Sequence, residues 1–305
     1  MFDSHPQIAI PNESGFIVRL ARERHRYEKT TGFDVEEFKR DFTLHLRFRK
    51  WDLSREEVNQ ALRAEIESYQ QAIRCLYHFY ASREGQALYG DKTPGYVTSL
   101  PLLSALFPEA RFVHIIRDGR DVALSHLDIE GWGPRSLDEA AVQWRRHVIR
   151  GMVDGAALGS SIYREVRYEE LIENPAKVLL GLCQFVGLSY DPAMLRYFER
   201  APKVAGATPH FRNIYQPPTK GLRDWRHQMS REDLARYESL AGDLLDELGY
   251  ETLGPMGIVG RATGLARRLR ARKAGVRVRA IRLARVIRRR SRRPSDGIEA
   301  PKGSQ

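Results

Sequence analysis

The chain has 305 residues with 42% hydrophobic content, enough for one large domain or two small ones around a substantial core. Its formal charge of +11 conceals a division: residues 1–255 carry 34 Lys and Arg against 37 Asp and Glu, whereas residues 256–305 carry 16 against two. The basicity belongs to the C-terminal stretch, which excludes bulk charge as a reason for the body to bind nucleic acid. Two cysteines, Cys75 and Cys183, make neither a disulfide framework nor a metal cluster and fit a reducing cytoplasm, and no run has transmembrane length or a signal-peptide pattern.

Taken in order, residues 14–24 read as a short amphipathic helix carrying Phe16, Ile17, Leu20 and Ala21. Residues 30–52 mix aromatics with charge and show no clear period; they are expected to fold over a substrate site. Ser54 and Glu57 form a capping box that opens a long helix through about residue 83, with Val58, Leu62, Ile66, Tyr69, Ile73, Leu76 and Phe79 on one face. The aromatics of this helix read as core. Residues 100–106 form another helix, and 112–116 are a short apolar run rich in β-branched residues, expected as a buried strand. Asp118-Gly119 is a turn signal, after which Asp121 caps a helix. Ser136 and Glu139 form a second capping box, opening a helix to about residue 153 with Ala140, Val142, Trp144 and Val148 on a buried or interfacial side. Residues 161–167 are a strand, 176–186 a helix stopped by Gly187, 200–222 a proline-rich loop, and 230–248 a last helix stopped by Gly249. Cys75 and Cys183 read as inert core residues.

The strand–turn–helix at 112–125 is the organising stretch. Arg117 ends the strand, and Ser125 lies eight residues later in the helix. A helix N-terminus presents free N–H groups and partial positive charge, and an arginine adds a forked, permanently charged donor. The pattern fits an anion site at the carboxyl end of a strand in an α/β sheet; an ordinary strand–helix junction with solvated arginines fits it equally well.

The run Ile116-Arg117-Asp118-Gly119-Arg120-Asp121-Val122-Ala123-Leu124-Ser125 resembles the 3′-phosphate motif of sulfotransferases that use 3′-phosphoadenosine 5′-phosphosulfate (PAPS), in particular bacterial forms related to tyrosylprotein sulfotransferases. The resemblance runs over roughly residues 1–250. It implies an α/β fold with a parallel sheet flanked by helices, of the P-loop sulfotransferase kind, and assigns the donor's 3′-phosphate to Arg117 and Ser125. Asp3-Ser4-His5-Pro6 matches the family's turn after its phosphate loop, which puts Glu13 at the position of the general base; a solvated or capping glutamate is the alternative. Lys92, in Asp91-Lys92-Thr93-Pro94, matches the lysine facing the transferring sulfuryl group, with a solvated loop lysine as the alternative. Tyr168 matches the adenine-contacting tyrosine, although a packed tyrosine at the sheet edge fits too, and Lys220, Gly221 and Trp225 resemble the late segment closing over the 3′-phosphate, where Arg212 and Arg223 could substitute. The family's first strand and 5′-phosphosulfate loop have no match ahead of Met1, so a truncated form of doubtful activity is expected.

The implied organisation is a sulfotransferase-like domain over 1–255 and a basic, helical or disordered tail over 256–305. The implied reaction is in-line transfer of a sulfuryl group from PAPS to a hydroxyl or amine acceptor, a small molecule or a peptide, without metal. Two alternatives stay open: a non-catalytic remnant binding adenosine 3′,5′-bisphosphate, and a membrane-surface adaptor acting through the tail. A nucleotide kinase is disfavoured because there is no Gly-Lys-Ser/Thr loop. Residues 261–293 hold 15 Lys and Arg and no acid, with apolar residues interspersed, which suits an anionic membrane surface better than nucleic acid. The expected location is the cytoplasm, with peripheral membrane contact through this tail.

Overall fold

A computed structural model describes residues 1–63, 65–129, 133–199 and 224–253. Lys220, Gly221, Arg212, Arg223 and the 261–293 tail lie outside the described residues. Packing divides the chain into two units, Met1–Asp233 and a second beginning at Leu234.

The first unit is mixed α/β, with parallel strands and helices packed on them, as expected. Strand β1 (Ile8–Ala9) pairs in parallel with β4 (Leu88–Tyr89), β2 (Glu28–Lys29) pairs antiparallel with β3 (Gly32–Phe33), and β5 (Phe112–Ile116) pairs in parallel with β6 (Tyr163–Arg167). Among the described residues the parallel strands therefore form two pairs and not one continuous sheet. The β5–β6 register runs from Phe112 opposite Tyr163 to Ile116 opposite Arg167.

Strand β5 forms where the β-branched run requires it, but it is not buried on both faces. Ile116 is buried, while Ile115 is 52% exposed. Successive side chains of a strand point to opposite faces, and only the face carrying His114 and Ile116 meets the long helix α7 (Leu137–Leu158). That approach is close. A Cβ on Gly151 would come within 2.5 Å of His114, and one on Gly155 within 2.3 Å of the Tyr163 ring, so the two glycines, one turn apart, are notches for strand side chains.

Several helices match expectation: α1 (Phe16–Arg22), α5 (Leu100–Leu106), and α9 (Pro175–Val186), stopped by Gly187. Four readings are corrected. The unperiodic 30–52 stretch contains helix α2 (Val35–Leu44), whose cap is Asp34 accepting from the Glu37 N–H, with Phe38 and Phe42 buried one turn apart. The long helix expected from Ser54 is two, α3 (Arg55–Ala61) and α4 (Tyr69–Arg83), because Leu62 leaves helical geometry and Ser68 caps anew. The Ser54–Glu57 box is complete, whereas Glu139 bonds the Arg135 N–H, so at α7 only the Ser136 half exists. Val142, expected on the buried or interfacial side of α7, is 54% exposed and so not part of the buried stripe.

One core joins α1, α2, α3, α4 and α5 around Phe16, Phe38, Phe42, Trp51, Tyr69 and Leu76. Many of its rings meet edge to face, as Trp51 and Tyr77 do at 4.7 Å, an arrangement that aromatic quadrupoles favour, while Phe38 and Phe42 stack. Tyr69 and Tyr77 are core, as read from the sequence. A second core gathers Val166, Leu171, Leu179, Leu182, Cys183 and Met194 from β6, α8 (Tyr168–Glu173), α9 and the turn that follows. Cys75 and Cys183 are free thiols whose pKa burial raises. The helix Arg231–Glu247 reaches the second unit, where Tyr237, Ala241, Leu244 and Leu245 line its buried stripe. Among the described residues no helix is long and apolar enough to cross a membrane.

Candidate active site

Among the described residues, the sequence-predicted ones fall into two groups, each assembled from distant parts of the chain.

The first group is Glu13 with Lys92. The segment leading to Glu13 is fixed by its own polar side chains. Asp3 accepts from the Ile10 N–H at 2.9 Å, and His5, 2% exposed, accepts from the Gln7 N–H and donates to the Ser189 carbonyl at 2.8 Å. His5 is a turn residue here, as expected. Trp51 donates its indole N–H to the Asn12 carbonyl at 2.8 Å. Gly15 then caps α1 with φ +61°, a left-handed conformation natural to glycine. On the other side, Thr93 accepts from the Ser14 N–H at 3.1 Å, and Tyr96 shares a 2.7 Å bond with the Ser14 hydroxyl. The neighbours of Glu13 and of Lys92 are thus stitched together, and the Lys92 Nζ donates to Glu13 Oε1 at 2.5 Å. Arg47, which sequence reasoning missed, stands 3.7 Å from the other carboxylate oxygen. Behind Lys92, Asp91 accepts from the Tyr77 hydroxyl at 2.5 Å, and burial raises its carboxyl pKa.

The second group is built on α6 (Gly119–Leu127). The helix starts three residues earlier than expected, and its cap is Asp118, accepting from the Arg120 N–H; Asp121 is not the cap but lies in the first turn. Arg117, at the end of β5, donates to Asp121 Oδ2 at 3.3 Å and lies over the Tyr168 ring at 4.7 Å. Its Nε is buried without a hydrogen-bond partner among the described residues, so part of the guanidinium fork remains available for an anion. Trp144 of α7 donates to the Arg117 carbonyl at 3.0 Å and fixes the strand's end. Ser125 sits half-buried in the second turn of α6.

Arg120 was not singled out from the sequence, yet it is fully buried. It pairs with Asp118 through two contacts of 2.8 and 3.0 Å, and its guanidinium lies 3.5 Å from the centre of the Trp225 ring. Trp225 opens the short helix α10 (Trp225–Gln228), and its N–H donates to Asp121 Oδ1 at 3.1 Å. Asp121 therefore touches both Arg117 and Trp225, and burial raises its carboxyl pKa against the opposing pull of Arg117. Nothing in the spacing Asp118, Arg120, Asp121 marks these contacts, because each depends on a residue more than a hundred positions away or on the turn geometry. Among the described residues, no group of three or more His, Cys, Asp or Glu could hold a metal ion.

The arrangement thus offers a carboxylate beside a lysine, and an arginine with a spare donor beside an aromatic face. A family model described as "Sulfotransferase family" matches residues 1–192. A putative protein-tyrosine sulfotransferase of Caenorhabditis elegans is 28% identical over 170 residues, 53% of this chain and 65% of that protein. The nodulation protein NoeE of Sinorhizobium fredii is 26% identical over 225 residues, 64% of this chain and 53% of that protein. The chain thus spans between about half and two thirds of the length of these relatives. In fold it is similar to the sulfotransferase domain of the Synechococcus PCC 7002 olefin synthase, with a TM-score of 0.52 and 22% identity over 77% of this chain and 86% of that one.

Proposed function

This chain belongs to the sulfotransferase family, and from that premise we propose that it takes PAPS as donor and passes the sulfuryl group to a hydroxyl acceptor, a small molecule or a peptide. Arg117 and Ser125 hold the donor's 3′-phosphate, Tyr168 receives the adenine face, and Lys220 with Gly221 completes the phosphate contacts. Glu13 takes the acceptor's proton as the acceptor oxygen attacks sulfur. The new oxygen–sulfur bond forms as the bond from sulfur to the 5′-phosphate breaks, and the electron pair leaves with the bisphosphate. Lys92 offsets the charge that develops on the sulfonate and the leaving phosphate. The residues fit such a donor: Arg117 keeps a buried Nε with no partner among the described residues, beside the Tyr168 ring, which suits a phosphate next to a base.

The observation that carries the reading is the 2.5 Å contact between Glu13 and Lys92, 79 residues apart in the chain. A base for the acceptor and a cation for the sulfuryl group need to meet at one place, and general acid–base groups act only within hydrogen-bond reach. Calorimetric titration with adenosine 3′,5′-bisphosphate tests the donor half. The wild-type chain should bind, and Arg117→Ala should lose at least about tenfold in affinity, since a charged hydrogen bond is worth about 1.5–3 kcal/mol. A folded wild-type chain that does not bind would sink the reading.

A further inference from the structure

We infer that Asp121 is a built-in competitor at Arg117, a carboxylate that occupies the guanidinium in the ligand-free chain and yields it to an incoming nucleotide phosphate, so that Asp121 sets the affinity of the donor site. This rests on the reading of Arg117 as the phosphate-binding arginine.

The two arginines of this turn differ in their attachment. Arg120 is committed: it has no exposed surface, two contacts of 2.8 and 3.0 Å to Asp118, and the Trp225 ring against its face. Arg117 is not: its ion pair with Asp121 is a single 3.3 Å contact from one terminal nitrogen, and its Nε has no partner among the described residues. Charge-assisted N–H···O bonds settle at about 2.7–2.9 Å, so this one is loose. A carboxylate is also the nearest side-chain analogue of a phosphate edge, planar and able to take two of the fork's N–H groups.

Asp121 can release Arg117 without leaving its place. Its Oδ1 accepts from the Trp225 N–H at 3.1 Å, so the start of α10 stays anchored when Oδ2 lets go. The same economy appears at the other cation, where Glu13 neutralises Lys92. Arg117 and Lys92, the two described cations assigned to the donor's anionic parts, each carry a carboxylate of the chain itself. Once a phosphate sits on Arg117, however, the Asp121 charge is a like charge a few ångströms away. With an effective dielectric constant of about 20, that repulsion weakens binding by about tenfold or more.

Titration of the full chain with adenosine 3′,5′-bisphosphate separates the outcomes. Asp121→Asn keeps an amide oxygen for the Trp225 N–H and removes only the charge. It should bind about tenfold more tightly than wild type. Equal or weaker binding by a variant with an unchanged unfolding midpoint would show that Asp121 orients Arg117, and would overturn the inference while leaving the donor site standing. No binding by either chain would overturn both readings. Should the variant fold poorly, carboxyl-13C spectra of the aspartate-labelled wild-type chain give the same decision: the Asp121 resonance shifts when nucleotide binds, and a resonance unmoved by bound nucleotide rejects the competitor role.

Discussion

At the scale of single residues, the buried pair of Arg120 and Asp118 has the largest stake. Both side chains are withdrawn from water, and such a pair contributes little net stability when whole but is costly to break. Arg120→Ala leaves the Asp118 carboxylate buried without its partner and removes the cation from the Trp225 face. It should cost about 3–5 kcal/mol in urea unfolding, with Arg120→Lys intermediate because it keeps the charge but not the fork. The residue-level reading of the site was uneven for a physical reason. Glu13, Lys92, Arg117 and Tyr168 stood out because they matched a motif, and Glu13 with Lys92, and Arg117 with Tyr168, are in contact. Arg47, Arg120 and Asp121 carry no local signature, since their contacts with Glu13 and Trp225 come from distant segments and those with Asp118 and Arg117 depend on the turn geometry.

At the scale of elements, the clearest test is the face of α7 that receives the strands. A methyl group on Gly155 would overlap the Tyr163 ring, a stiff aromatic that also bonds His114 Nδ1 at 2.6 Å and so cannot simply turn aside. Alanine favours a helix over glycine by about 1 kcal/mol, but overpacking of this kind costs about 1–3 kcal/mol. Gly155→Ala should therefore lower the thermal midpoint despite its better helix propensity. Element boundaries were legible where a polar cap or a stop residue marked them, as at Ser54, Ser136 and Gly187. They were missed where apolar periodicity was followed past a break. Leu62 and Ile66 continue the stripe of α3 in the sequence and are buried, so burial alone hid the interruption before Ser68. Helix α2 was missed because its Asp34–Glu37 cap was overlooked among the charges around it.

At the scale of the whole molecule, acid should act through histidine. Burial lowers the pKa of His114 from 6.5 to about 4 and also lowers those of His126 and His147. The unfolded chain takes up protons at these groups below about pH 6.5 that the folded chain refuses. Stability is therefore full above that pH and falls as pH drops from 6.5 toward 4, with His114 alone contributing a loss of about 3 kcal/mol across the interval. Denaturant midpoints measured at pH 7, 5.5 and 4.5 check this, and His114→Gln should flatten the slope. The α/β class was readable from the sequence because β-branched runs alternate with helical periods. The division of the parallel strands into two pairs was not, because pairing partners lie far apart in the chain.

The notched helix has a consequence for which changes of length the chain can tolerate. Along α7, Trp144 grips the carbonyl of Arg117, and Gly151 and Gly155 admit His114 and Tyr163. Adding one residue between Trp144 and Gly151 would turn the indole by about 100° relative to the notches. The helix could then satisfy the strands or the arginine, but not both. The stretch of α7 from Trp144 to Gly155 thus serves as a fixed ruler between the β5–β6 strand pair and the turn that carries Arg117, so changes of length are expected to be tolerated in the connections outside it.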